Sequence, residues 1–269
     1  MSRRLALVVA HPDDDTFGSA GTVALHAADP EFRFVLIHAT SGEAGEIADP
    51  SLATPETLGG VREEEDRRSW SALGREPDRH EWLRHPDHGV AEIDRSELVD
   101  RIASILDEER PDVVVTFGPD GVTGHPDHVT VGLAATEAFH RLRATGGPGF
   151  LRLIHTVIPQ RVIDGWNRAL VADGKEPMDS SQMYVPGGVA DHTVDVEVDT
   201  STVVDRVIAA IAEHRTQAGG TEDWSDDELR STLSWEFGLV AWPPRPPGSP
   251  VLTDVFDSLE PTGAHQPSR

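Results

Sequence analysis

Residues 5–10 (LALVVA) form an unbroken apolar run rich in branched side chains, and such a run belongs in a strand covered on both faces. The pattern returns at 32–39 (FRFVLIHA), 112–117 (DVVVTF) and 151–158 (LRLIHTVI), with a weaker strand expected near 80–83. Between these runs the apolar positions take a helical period, at about 16–28, 60–73, 94–110 and 127–142, and Pro111 stops the third helix. Strands alternating with helices over the first 160 residues predict an α/β fold: a Rossmann-like, doubly wound, mostly parallel sheet flanked by helices. Further on, 192–198 alternates like a strand with one wet face and 201–214 reads as a helix. From residue 219 the chain reads as loop-rich, with WPPRPPGSP at 242–250, and an irregular C-terminal cover over the sheet or a subunit contact is expected. The expected organisation is one catalytic domain: a core over 1–160, an elaboration over 161–260 and a flexible tail at 261–269.

In doubly wound sheets, ligands gather beyond the carboxyl ends of the strands. Two loops containing His-Pro-Asp fall there, HPDDD at 11–15 and GPDGVTGHPDH at 118–128, each directly after a strongly apolar strand. The chain has no cysteine, so a metal site must be built from histidine and carboxylate. A hydrolytic zinc site needs three such ligands, an open position for water and a base. His11 ends the first strand and Asp14 follows three residues later where a helix begins, a spacing that lets both converge on one ion. Asp13 lies between them, placed to take a proton from the attacking water. One of His125 and His128 completes the set, and His128, on the first turn of the next helix, is the better placed. His125 then stays free to stabilise an oxyanion or protonate a leaving amine, while Asp127 holds an imidazole proton and fixes its tautomer.

AHPDDDTFGSAGT at 10–22, TSGEAGE at 40–46, VREEE at 61–65, GHPDH at 124–128 and His214-Arg215-Thr216-Gln217 together resemble the PIG-L (LmbE-like) family of zinc N-deacetylases, in the family order. The resemblance implies His11, Asp14 and His128 as metal ligands, Asp13 as general base and His125 as the oxyanion-stabilising or proton-donating group, oriented by Asp127. It also implies substrate contacts for Glu43, Arg62 and Asp87, with the Arg62 guanidinium suited to fork onto sugar hydroxyls. The implied cofactor is Zn2+, although a two-histidine, one-aspartate set also suits iron(II). The implied reaction is removal of an N-acetyl group from an amino sugar or glycoside. An amidase acting on a larger acyl group is the alternative enzyme, and a non-catalytic sugar-binding protein the alternative of another class. The chain departs from the family's pattern at Asp15, where glutamate is usual, and at Thr123, where some sugar deacetylases carry a tyrosine.

A formal net charge of −24, with Lys175 the sole lysine, argues against nucleic acid or an anionic membrane as partner and suits a neutral or cationic small molecule. The short N-terminal apolar run ends in charges without a cleavage-like spacer, so a cytoplasmic enzyme is expected. His38 and His155 read as core histidines. His26, His80, His140, His192 and His265 read as exposed, and His85 and His88 as surface residues of a loop that only mimics the metal motif. His214 reads as an anchor near the site. Trp166, Trp224 and Trp235 read as residues of irregular regions that line a lip, a core or an interface.

Overall fold

The computed structural model describes residues 3–217, 224–246 and 248–259. The predicted alternation holds through the first half: β1 (Arg3–Val9), α1 (Asp14–His26), β2 (Phe32–His38), α2 (Leu58–Leu73), β3 (Arg79–Trp82), α3 (Arg95–Glu109), β4 (Val113–Phe117), the short α4 (Gly121–Gly124), α5 (Pro126–Ala144) and β5 (Arg152–Thr156). The second half adds β6 (Ile158–Pro159), α6 (Gln160–Ala172), β7 (Gly188–Val189), β8 (Val196–Asp199), α7 (Val204–Ile211), α8 (Asp226–Leu233) and β9 (Trp235–Trp242).

Seven strands form one sheet in the order β3-β2-β1-β4-β5-β9-β8, and β6 pairs with β7 apart from it. β1 runs parallel to β2 on one side and to β4 on the other, as β2 does to β3 and β4 to β5. Leu5, Leu7, Phe34, Leu36 and Ile37 are fully buried, which is why these strands read as continuous apolar runs. The chain winds outward from β1 through β2 to β3, then returns to start again at β4. Right-handed crossovers therefore put α1 and α2 on one face and α3 and α5 on the other. The winding reverses between β1 and β4, and the two His-Pro-Asp loops leave the carboxyl ends of these two neighbouring strands.

Four segments differ from the sequence reading. β9, expected to be loop, lies inside the sheet, antiparallel to both β5 and β8. Gly238 disguised it as a break, yet a side chain there would press within 2.5 Å of the Ile154 side chain, so close strand contact requires the glycine. α6 and α8 were not expected as helices. α8 has a capping box, in which Ser225 and Glu228 each hydrogen-bond the other's backbone N–H. The helix expected over 201–214 begins as a 3₁₀ turn at Ser201–Val203 and ends at Ile211. The described residues from 243 to 259 are irregular, and Leu252 bridges to Val196 at the sheet edge. The tail at 261–269 lies outside the described residues. None of the helices among the described residues is long and apolar enough to cross a membrane.

Candidate active site

β1 delivers His11 to the sheet's reversal point, and the chain turns at once into α1. Asp13, the residue before the helix, takes φ 105°, a strained conformation for a residue with a side chain. That turn aims Asp14, on the first turn of α1, back at His11, whose N–H it accepts at 2.8 Å. α5 begins next door with His125 at its N-cap, Pro126 in its first turn and His128 one turn in.

Three ligand-capable groups converge. His11 Nδ1 lies 3.3 Å from Asp14 Oδ2 and 3.1 Å from His128 Nε2, and His128 Nε2 lies 3.3 Å from Asp14 Oδ1. Donors about 2.0–2.1 Å from a tetrahedral zinc ion stand roughly 3.3–3.4 Å apart, so the residues present fit a metal ion. The remaining ring nitrogens fit as well. His128 Nδ1 lies 3.1 Å from the Gly121 carbonyl oxygen, which fixes the proton there and leaves Nε2 free. His11 Nε2 faces Asp87 Oδ1 at 3.0 Å and Asp127 Oδ2 at 3.6 Å. Burial pulls the His11 pKa down, but its contacts with Asp127, Asp14 and Asp87 more than offset that and hold it well above the usual histidine value. Burial pushes the Asp14 carboxyl up, and the stronger pull of His128 and His11 holds it below the usual aspartate value. His125 also brings a nitrogen within 4.8 Å of ligand atoms from His11 and His128. Its Nδ1, however, accepts the Asp127 N–H at 3.1 Å, leaving Nε2 as the protonated, donating nitrogen.

The other expected site residues surround this cluster. Arg62, read as a substrate-binding fork, is buried, and its guanidinium donates to Gly42 O at 2.9 Å, Pro12 O at 2.6 Å and Asp13 Oδ2 at 3.2 Å. It therefore braces the strained Asp13 turn. Gly42, with φ 65°, makes room for it: a Cβ there would stand 2.3 Å from the guanidinium. Asp87, also read as a substrate contact, is buried with one oxygen at His11 and the other accepting Ala44 N–H. Glu43 is exposed and accepts the Asp87 N–H at 2.9 Å, so it holds that loop. The Asp127 carboxylate accepts His88 and Val90 N–H and approaches His11; only its backbone meets His125. His85 is buried rather than at the surface, and His26 is buried against Asp254 at 2.9 Å.

Two features escaped the sequence reading. Tyr184, the single tyrosine, places its ring 4.9 Å from the His125 ring, and its N–H donates to Thr123 O. Only its rarity could have flagged it. Glu65, the last glutamate of VREEE, is buried and accepts both the N–H and the hydroxyl of Thr216, at 2.9 and 2.6 Å. That contact seats His214, whose Nε2 lies 3.1 Å from Thr16 Oγ1. Beside it a cavity of 380 Å³ opens, lined by Asp13, Phe17, Leu52, His214, Arg215 and Gln217 among others. A larger groove of 990 Å³, lined by Trp166, Trp224 and Trp235, includes none of the site residues. Trp166 and Trp235 stand on α6 and β9 rather than in irregular chain.

Comparison with known proteins agrees with this geometry. Residues 6–139 match the family described as PIG-L, GlcNAc-PI de-N-acetylase. The chain is 33% identical to a 1D-myo-inositol 2-acetamido-2-deoxy-alpha-D-glucopyranoside deacetylase of Streptomyces scabiei, over 96% of this chain and 90% of that protein. Among solved structures it is similar in fold to the N,N'-diacetylchitobiose deacetylase of Pyrococcus horikoshii, with TM-score 0.59, 22% identity and coverage of 88% of this chain and 83% of that one. The same fold, at TM-score 0.59 and 17% identity over 91% and 98% of the two chains, appears in a 4-carboxy-2-hydroxymuconate hydratase of Pseudomonas putida. The fold alone therefore does not choose the reaction. Sequence likeness and the histidine–carboxylate cluster together define a hydrolase that acts on amide bonds. The chain belongs to the PIG-L family of N-deacetylases.

Proposed function

We propose that this enzyme hydrolyses the N-acetyl group of an amino sugar carried on a small glycoside, with a zinc ion held by His11 Nδ1, Asp14 and His128 Nε2. The two histidine nitrogens, 3.1 Å apart and each 3.3 Å from one oxygen of the Asp14 carboxylate, carry the proposal. Asp14 is preferred over His125 as the third ligand because it adds negative charge, while His125 has a donating nitrogen to offer elsewhere. Iron(II) fits the same donors. When bound, the ion supplies Lewis acidity toward the amide carbonyl and acidifies water.

The chain's own residues supply the rest. Asp13 takes the proton of the attacking water, and Arg62 fixes its carboxylate. His125 donates through Nε2 to the oxygen that gains charge, and burial, the chief cause, lowers its pKa to about 4, so it acts as a neutral donor. Asp87 and Asp127 orient His11. The cavity beside Asp13 offers apolar Phe17 and Leu52 together with polar Asp49, Arg215 and Gln217, a mixture suited to a sugar. A longer acyl group is the second reading, favoured by the apolar part of that lining.

The test is acetate release from a panel of N-acetylated sugars and glycosides, run alongside longer N-acyl analogues, with metal content measured in parallel. Asp13→Asn is expected to lose about 10²–10⁴-fold in rate with metal retained, and His11→Ala to lose the metal. Full activity in Asp13→Asn would overturn the mechanism.

A further inference from the structure

A second group of ligand-type side chains, absent from the reaction above, lies beneath Asp15. His38 ends β2, His80 lies on the adjacent β3, and Asp66 reaches across from α2. One ligand-capable atom from each lies within 4.8 Å of the others. His38 Nδ1 is 2.9 Å from His80 Nε2, and His80 Nε2 is 3.6 Å from Asp66 Oδ2, while the other His38 nitrogen, Nε2, is turned to the Asp15 side. The sequence reading had His80 exposed and His38 as an ordinary core histidine; their convergence depends on the β2–β3 pairing.

Asp66 is the telling residue. It is completely buried, and neither carboxylate oxygen meets a hydrogen-bond donor. A lone buried carboxylate is strongly unfavourable unless a cation or proton compensates it. The buried guanidinium nearby, Arg62, is turned toward Pro12, Gly42 and Asp13.

We infer that His38, His80 and Asp66 hold a divalent transition-metal ion, zinc by ligand type, at a structural site separate from the hydrolytic one. The surroundings have the form of such a site. Asp15 Oδ1 lies 3.3 Å from His38 Nε2, the carboxylate–histidine contact that orients a ligating imidazole, and Trp70 Nε1 donates to the other Asp15 oxygen at 2.7 Å. Trp82 stacks on His38 at 4.3 Å and covers it. The His80 side chain, 18% exposed, gives the ion a route in from solvent.

The experiment is zinc stoichiometry, by elemental analysis of the zinc-loaded, desalted full-length protein. Two ions per chain are expected in the wild type, one in His80→Gln, one in His128→Ala and none in the double variant. In the His128→Ala background, chelation should lower the melting temperature, and His80→Gln should abolish that shift. His80 is partly exposed, so its substitution should leave the fold intact; Asp66→Asn provides a second, independent removal of a ligand. Overturning results are a wild type that binds one ion, lost in His128→Ala and kept in His80→Gln, or a wild type that binds none. The first would mean that a shared proton neutralises the Asp15–Asp66 pair.

Discussion

The Arg62 guanidinium stands 3.2 Å from the Asp13 carboxylate and 2.6 Å from the Pro12 carbonyl oxygen, so one buried cation holds both the backbone turn and the side chain of the proposed base. Arg62→Ala is therefore expected to lower kcat about 10–100-fold with a smaller change in KM, because a base displaced by an ångström loses its reaction geometry. Steady-state kinetics check this. An unchanged kcat with raised KM would return Arg62 to the role of a substrate contact.

The same pair makes a pH prediction. Burial, the chief cause, pushes the Asp13 carboxyl up to about 7, against the downward pull of Arg62. The base works only when ionised, so activity falls as pH drops through its pKa, and a nearby divalent ion moves that point below 7. The kcat/KM profile should show one acid-side limb, displaced to higher pH in Arg62→Ala. A limb that stays in place in that variant would belong to another group.

Tyr184 shows half its surface to solvent while its ring borders His125. It therefore borders the place where an amide bound at the cluster would lie. Tyr184→Ala is expected to raise KM roughly 3–30-fold, about 0.7–2 kcal/mol of lost contact, with bound metal unchanged. Tyr184→Phe separates ring from hydroxyl: recovery of KM assigns the effect to the ring.

Glu236 on β9 accepts N–H bonds from Gly21 and Thr22 and the Thr22 hydroxyl, yet burial outweighs them and raises its pKa from 4.5 to about 7. Its contribution to stability is fully present below about pH 4.5 and is lost as pH rises through about 7. Thermal melts from pH 5 to 8 should therefore show a wild-type decline that Glu236→Gln reduces. Parallel curves for the two proteins would mean that Glu236 titrates alike in the folded and unfolded chain.

Much of this was legible before any coordinates. Residues 5–9 and 113–117 are strands because both faces of the sheet are covered, and burial on both faces writes itself as unbroken apolar sequence. The closeness of His11, Asp13 and Asp14 was legible because a strand end and a helix start a few residues apart leave them little freedom. β9 was missed because Gly238 and Glu236 interrupt its pattern, each for a contact with a distant element.

The sequence by itself determined the alternation of elements and the two His-Pro-Asp loops, with their histidines and carboxylates, at strand ends. Only the tertiary structure decided where Arg62 points, that Asp87 and Asp127 meet His11, and that His38, His80 and Asp66 converge. Local periodicity records which face of an element is buried. Which side chains from separate elements meet depends on strand order, register and crossover hand, and these are set by the packing of the whole sheet.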